Sequence, residues 1–116
     1  MNNSKEMVKL IYATLEDKFG EDIQIINIDK ISTLCEYFII VNGNSTTHVK
    51  ALAMNIEEKM KESGFELFNA EGIRGNSWLL LDYSDVVIHI FDKENRDFYN
   101  LERLWNDGIR VDVKDL

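Results

Sequence analysis

The chain is poor in the residues that cross-link a fold or bind metal ions. It has no proline, one cysteine and two histidines among its 116 residues. The single thiol, Cys35, excludes an internal disulfide and argues against a secreted disulfide scaffold. His48 and His89 are far apart in sequence and Cys35 is near neither, so the usual spacing of zinc ligands is missing. We therefore expect no metal site and no cofactor.

Long apolar segments and positive charge are also scarce. No apolar run approaches the ~20 residues needed to span a bilayer, and residues 1–4 lack the basic and apolar regions of a signal peptide. Thirteen Lys and Arg oppose 21 Asp and Glu, for a net charge of −8. Nucleic-acid binding depends on cations that neutralise phosphates, so this balance predicts little direct nucleic-acid contact and favours a basic protein partner. We expect a cytoplasmic protein without a membrane segment.

The residues that are abundant are those of one globular core. The hydrophobic fraction is 45%, with 10% aromatic residues, which is typical of folded domains. No repeat, linker or low-complexity segment interrupts the sequence. A chain of this length corresponds to one unit, so we predict a single domain over residues 1–116.

Helical periodicity appears in three segments. Residues 4–19 carry apolar side chains at helical spacing, with Gly20 as the stop. A second helix begins at Ser45 or Thr46, whose hydroxyl can accept from free backbone N–H groups, and Gly64 closes it. A short third helix is predicted to begin near Asn95. The apolar face of the second helix comprises Val49, Leu52, Ala53, Ile56 and Met60.

Strand patterns separate these helices. Residues 23–28 and 66–69 read as strands, and residues 37–41 are continuously apolar, as in a central strand covered on both faces. Residues 78–91 read as a β-hairpin. The order is helix, strand, strand, helix, strand, hairpin, helix. It predicts an α/β fold in which helices pack on one mixed sheet.

The hairpin is the longest apolar stretch, and one polar tetrad interrupts it. A two-residue loop at Tyr83-Ser84 would place Asp82 opposite Asp85 and Trp78 opposite His89. One face is then aliphatic, with Leu79, Leu81, Val86, Ile88 and Ile90. The other, called the mixed face below, carries Trp78, Leu80, Asp82, Asp85, Val87, His89 and Phe91. Such a face is either a half-covered sheet surface or an open binding patch.

The start of the second helix is a possible nucleotide site. A strand, the turn 43–45 and a helix resemble the phosphate-binding entrance of nucleotidyltransferase folds. That chemistry also needs paired carboxylates on one strand to hold Mg²⁺. Glu66 and Glu71 lie five residues apart, and Asp82 and Asp85 lie three apart at a turn, so neither is such a pair. We interpret the turn as a helix entry without catalysis.

Side chains typical of interface hot spots concentrate on the mixed face and the segment after it. Trp78, His89 and Tyr99 are large and amphipathic, and Arg96 and Glu102 carry charges suited to an interface rim. The mixed face is therefore the better functional candidate.

Linked motifs along the chain carry a family resemblance. They are Glu36-Tyr37-Phe38-Ile39-Ile40 leading into Gly43-Asn44-Ser45, Glu71-Gly72, the hairpin from Trp78 to Phe91, and Arg96-x-Phe98-Tyr99-x-Leu101-Glu102-x-Leu104-Trp105. As a set they make residues 5–107 resemble the ribosomal silencing factor family, also called RsfS or Iojap. Ser84 stands where the family usually has glycine, and Glu36 replaces the commoner aspartate.

This resemblance implies a fold and a function. The fold is a mixed α/β domain similar to nucleotidyltransferases but without their catalytic carboxylates, so the protein is not expected to be an enzyme. Family members bind the large ribosomal subunit through ribosomal protein fourteen, at the face where the small subunit docks. They thereby block subunit joining and repress translation, and free members tend to form homodimers.

We accordingly predict a non-enzymatic translation regulator that acts by steric exclusion. Two alternatives stay open: a nucleotidyltransferase-type enzyme, and an unrelated homodimeric interaction module whose dimer contact is the mixed face. The predicted partner-binding residues are Trp78, Asp82, Tyr83, Asp85, His89, Arg96, Tyr99 and Glu102.

Overall fold

A computed structural model describes residues 4–29, 35–72, 77–93 and 109–116. These segments contain two helices and six strands, and a single 3-10 turn, Val113–Asp115, follows the last strand. In chain order they are α1 (Ser4–Asp17), β1 (Glu21–Asn27), β2 (Tyr37–Gly43), α2 (Thr46–Glu62), β3 (Asn69–Gly72), β4 (Trp78–Asp82), β5 (Val86–Asp92) and β6 (Ile109–Arg110).

The strands form one mixed sheet in the order β3-β4-β5-β2-β1-β6. β2 and β5 run parallel, and every other neighbouring pair is antiparallel. β2 is buried at all seven of its residues. The predicted α/β fold is confirmed, and so is the prediction that residues 37–41 form a central strand.

Both helices pack on one face of the sheet. The predicted apolar stripe of α2, from Val49 to Met60, is buried there. It joins a core cluster that includes Ile11 and Leu15 of α1 and the aliphatic hairpin face represented by Ile88. Burying such side chains is the main favourable term in folding, at about 1.5–3 kcal/mol for each large aliphatic group. Among the described residues, neither helix has the length and apolar character needed to cross a membrane.

The helix ends follow the predicted signals with one change. Ser45 caps α2 by accepting from the backbone N–H of His48 at 3.2 Å. After α2, Gly64 adopts a φ of +84°. At the end of α1, however, Phe19 takes the left-handed conformation, with a φ of 66°. Gly20 is required for close approach instead, because a Cβ there would lie 2.9 Å from Cγ2 of Val41.

The predicted strand at residues 66–69 is misplaced. β3 covers Asn69–Gly72, which the sequence pattern assigned mostly to a loop. Asn69 pairs with Asp82 and Gly72 with Leu79, so the glycine forms the last pair of the ladder. β3 is an edge strand with all its residues exposed, and it therefore lacks the apolar alternation that identifies a strand in sequence.

The hairpin forms as predicted, but its register differs by two residues. Asp82 lies opposite Val87 rather than Asp85, and Trp78 lies opposite Phe91. The N–H of Tyr83 donates to the carbonyl of Val86 at 2.9 Å, so the loop is Ser84-Asp85. Within this loop Ser84 adopts a left-handed backbone conformation, with a φ of 69°. A shift of two residues keeps each side chain on its predicted face, because the side-chain period of a strand is two.

The predicted third helix, beginning near Asn95, lies outside the described residues.

Candidate functional site

The mixed face lies on the side of the sheet away from α1 and α2. His89 is at its centre, with Ile40 of β2 on one side and Leu80 of β4 on the other. In the adjacent row Val87 lies between Phe38 and Asp82. The central position of β5 therefore places an imidazole ring within a largely apolar surface.

An aromatic cluster fixes the orientation of that ring. The indole Nε1–H of Trp78 donates to Nδ1 of His89 at 3.0 Å. Trp78 also packs on Phe91 with ring centroids 4.9 Å apart, and Phe38 meets His89 edge-on at 5.0 Å. Because Nδ1 accepts a hydrogen bond, the hydrogen of the neutral imidazole is on Nε2.

His89 is buried and electrically neutral. It is only 6% exposed, and burial lowers its pKa to about 4 because the imidazolium would lose its hydration. Among the residues that the structure describes, no group accepts a hydrogen bond from Nε2. The ring is therefore a fixed, uncharged donor near neutral pH.

A cavity of about 530 Å³ opens on the mixed face beside His89. Its apolar wall includes Leu80 and Val87, which are partly exposed, and the phenyl ring of Phe68, which is 75% exposed. Asp82 and Asp85 add two carboxylates. The complete lining is Cys35, Phe38, Phe68, Leu80, Asp82, Ser84, Asp85, Val87 and His89.

The hairpin turn holds the Asp82 carboxylate and the backbone of Asp85. One oxygen of Asp82 accepts from the backbone N–H of Ser84 at 2.8 Å. The carbonyl of Asp85 accepts from the N–H groups of Glu36 and Tyr37 at 2.8 and 3.1 Å, which fixes the turn to the start of β2. The Asp85 side chain is exposed, so its carboxylate is accessible to a partner.

Cys35 is a buried thiol that lines the same cavity as these carboxylates. Burial, with the negative charges of Asp82 and Asp85, raises the pKa of its thiol to about 12. The side chain is 7% exposed and its Sγ lies 3.6 Å from the carbonyl of Tyr37. Cys35 is thus a buried, protonated thiol with low nucleophilicity, and the cavity beside it has a negative potential.

The predicted site residues separate into groups. Trp78, Asp82 and His89 share the mixed face, and Asp85 lines the same cavity from the turn. Tyr83 is different: it is 4% exposed and belongs to the core on the helix side, where burial raises its pKa to about 12. Three further predicted residues, Arg96, Tyr99 and Glu102, lie outside the described residues.

Sequence reasoning missed Phe68. An apolar pair, Leu67-Phe68, inside a predicted strand suggests a core position, whereas the phenyl ring is exposed at the cavity. Its N–H donates to the carbonyl of Asp82 at 2.8 Å, extending the pairing of β3 with β4. The polar residues after Phe68 were the available signal of a sheet edge, where large side chains are less completely covered.

The glycine turn before α2 has a structural role. A Cβ on Gly43 would lie 2.9 Å from the backbone nitrogen of Val49, so only glycine fits. The N–H of Asn44 donates to Nδ1 of His48 at 2.8 Å, and Nε2 of His48 donates to the carbonyl of Lys18 at 2.8 Å. The turn is thus bonded to the end of α1. No group of three or more His, Cys, Asp or Glu in the described ranges could hold a metal ion.

Comparison with known proteins places the chain in a family. The family described as "Ribosomal silencing factor during starvation" matches residues 1–116. The ribosomal silencing factor RsfS of Bacillus subtilis (strain 168) is 39% identical over 111 residues, which cover 96% of this chain and 94% of that protein. A crystal structure from Chromobacterium violaceum superposes with a TM-score of 0.85 and 37% identity, covering 91% of this chain and 88% of that one.

A more distant relative from Mus musculus is named "Mitochondrial assembly of ribosomal large subunit protein 1". It is 28% identical over 101 residues, which cover 84% of this chain and 44% of that protein. The family description and the names of the bacterial relatives are those of a regulatory factor rather than an enzyme. The chain belongs to the ribosomal silencing factor family.

Proposed function

We propose that the protein binds the large ribosomal subunit through its mixed face and lowers translation by covering surface that the small subunit needs. Family membership supports a silencing role, and the name of the Mus musculus relative refers to the large subunit. The observation that carries the proposal is the cavity on the mixed face, where Asp82 and Asp85 adjoin exposed apolar groups. We propose that its partner on the large subunit is ribosomal protein fourteen. We also propose that the protein is cytoplasmic.

The surface chemistry favours a protein contact over a ribosomal RNA contact. A net charge of −8 and two carboxylates at the cavity would repel phosphates. The same carboxylates attract Lys and Arg, which accelerates association and fixes the orientation of a complex. Trp78 and Leu80 are partly exposed, and aromatic residues with an apolar centre are typical of interface hot spots.

The proposed mechanism is competition and involves no bond chemistry. A factor that binds only free large subunits weakens their joining to small subunits by 1 + [factor]/Kd, a ratio of roughly 100 when the factor is present at 100 times its Kd. The effect is therefore reversible and depends on the concentration of the factor.

The test is a subunit-joining assay combined with co-sedimentation on large subunits. Wild type should co-sediment with large subunits and inhibit joining. Asp85→Lys should weaken binding at least ~10-fold, or about 1.4 kcal/mol, because it reverses an exposed charge at the cavity. Glu58→Lys makes the same charge change on the exposed side of α2 and should bind like wild type. Failure of wild type to co-sediment, or co-sedimentation without inhibition, refutes the proposal.

A homodimeric module is the second candidate, because partly exposed apolar groups such as Trp78 and Val87 could pair between copies. Salt distinguishes the two functions. A dimer through the mixed face would bring the Asp82 and Asp85 carboxylates of two copies together, so added salt would screen their repulsion and tighten the dimer. Binding to a basic ribosomal protein would weaken as salt rises. Sedimentation equilibrium and subunit binding, each at 50 and 300 mM KCl, separate these outcomes.

A further inference from the structure

His89 presents a hydrogen-bond donor that the described part of the protein leaves unused. Nδ1 is occupied by the indole of Trp78, and Nε2 has no acceptor among the described residues although the side chain is 6% exposed. Buried polar groups in native proteins are nearly always hydrogen-bonded, and an unsatisfied one destabilises the fold. His89 is among the residues that line the cavity, so a group bound in the cavity is the candidate acceptor for Nε2.

The acceptor that fits best is a neutral carbonyl oxygen. With a pKa of about 4 the imidazole is uncharged at neutral pH and offers a single N–H. A carboxylate entering the cavity would meet the negative charges of Asp82 and Asp85. A backbone carbonyl carries no net charge and avoids this repulsion, so the donor selects a peptide group rather than an acid.

A cation is the complementary group for the rest of the cavity. Asp82 and Asp85 supply negative charge, and the exposed ring of Phe68 supplies an aromatic face. A guanidinium can stack on an aromatic ring and pair with a carboxylate through its planar fork of N–H groups. An ammonium pairs as a point charge and lacks that planar stacking.

We propose that this cavity takes an arginine of the partner protein, with the guanidinium between Phe68 and the carboxylates of Asp82 and Asp85 and a neighbouring backbone carbonyl bonded to Nε2 of His89. The inference rests on the proposed function and specifies the partner chemistry of the same face. It adds Phe68 as a binding residue and gives His89 a defined role as a donor.

The first test uses acetyl-arginine-methylamide, which carries a guanidinium and backbone carbonyls, and follows the His89 imidazole by ¹H–¹⁵N NMR. Saturable binding should shift the Nε2 resonance. The matched citrulline compound, which is uncharged, should bind at least ~5-fold more weakly and the lysine compound ~3-fold more weakly. Binding that leaves Nε2 unchanged, or equal binding of the citrulline compound, overturns the inference.

Exposed side chains provide variants that preserve the fold. Phe68→Ala should weaken arginine-compound binding ~3-fold, and Asp85→Asn should weaken it by a similar factor. Phe19→Ala is the control, because Phe19 is 78% exposed and does not line the cavity. If Phe68→Ala and Asp85→Asn bind the compound like wild type, the inference fails.

Binding to large subunits separates this inference from the proposed function. If wild type binds large subunits while Phe68→Ala and Asp85→Asn bind them equally well, the function stands and the arginine site is refuted. If wild type binds the arginine compound with the predicted Nε2 shift but no large subunit, the proposed ribosomal function is wrong and the arginine site stands.

Discussion

The hydrogen bond between Trp78 and His89 can be removed with little loss of packing. Trp78→Phe deletes the indole N–H that donates to Nδ1 at 3.0 Å, while a phenyl ring can still pack on Phe91. Nδ1 of a ring that is 6% exposed would then lack its donor. We expect Trp78→Phe to lower the free energy of unfolding by about 1–3 kcal/mol, the cost of an unsatisfied buried polar group.

A double-mutant cycle tests the origin of this loss. His89→Phe removes the buried acceptor, and the double variant leaves an apolar pair with no polar group to satisfy. Replacing both partners with apolar groups can be nearly neutral, so the double variant should lose less than the sum of the single variants, with a coupling energy of about 1 kcal/mol. Urea denaturation at pH 7 measures the free energy of unfolding of wild type and of each variant. The comparison requires that the m-value is the same for all of them.

Two outcomes would refute this reasoning. Additive single effects would mean that the bond contributes no coupling. Unchanged stability in Trp78→Phe would mean that the buried Nδ1 costs nothing when unpaired. The result also guides functional work, because Trp78→Ala lowers stability through lost packing as well as removing a contact, whereas Trp78→Phe isolates the hydrogen bond.

Three further predictions concern single residues. His89 has a folded-state pKa of about 4, below its unfolded value of 6.5, so its contribution to stability is lost as pH falls below 6.5. Urea denaturation should show a loss of about 2 kcal/mol in the free energy of unfolding from pH 7 to pH 5. His89→Phe should remove this part of the pH dependence. Ser84→Gly should raise the free energy of unfolding by about 0.5–1 kcal/mol, because the residue at φ 69° is strained. Ser84→Ala should give no such gain. Equal urea-denaturation midpoints for the two variants would contradict the strain. Cys35 should react with a thiol reagent far more slowly than free cysteine at pH 8, because its pKa is about 12. In denaturant it should react at the rate of a free thiol. Rapid labelling of the folded protein would disprove its burial.

The sequence-based predictions were most accurate where burial of an element imposes a clear pattern of apolar residues. The apolar stripe of α2, Val49 to Met60, is buried as predicted, and the continuous apolar run of β2 lies at the centre of the sheet. The two hairpin faces were also predicted correctly although the register was not. The pattern determines which side chains share a face, whereas the loop is set by Ser84, whose positive φ is not evident from its residue type.

The sequence-based predictions failed where solvent exposure or contacts with other side chains determine the position of a residue. β3 is fully exposed and has no apolar alternation to mark it. Tyr83 directly follows Asp82 yet lies in the core, because successive strand side chains point to opposite faces of a sheet. No sequence pattern singled out Phe68, which is 75% exposed at the cavity. The orientation of His89 depends on Trp78, eleven residues away, and on the chemistry of one hydrogen bond.

The edge strand β3 has features that disfavour self-association through the sheet edge. Open sheet edges can add further strands and lead to polymerisation, and native proteins counter this with short, charged edge strands. β3 has four residues and carries Glu71, whose carboxylate accepts from the side-chain amide of Asn69 at 2.9 Å. A copy adding to this edge would have to desolvate that charge. The short, polar sequence that made β3 difficult to recognise is thus also a feature that disfavours the addition of another strand at this edge.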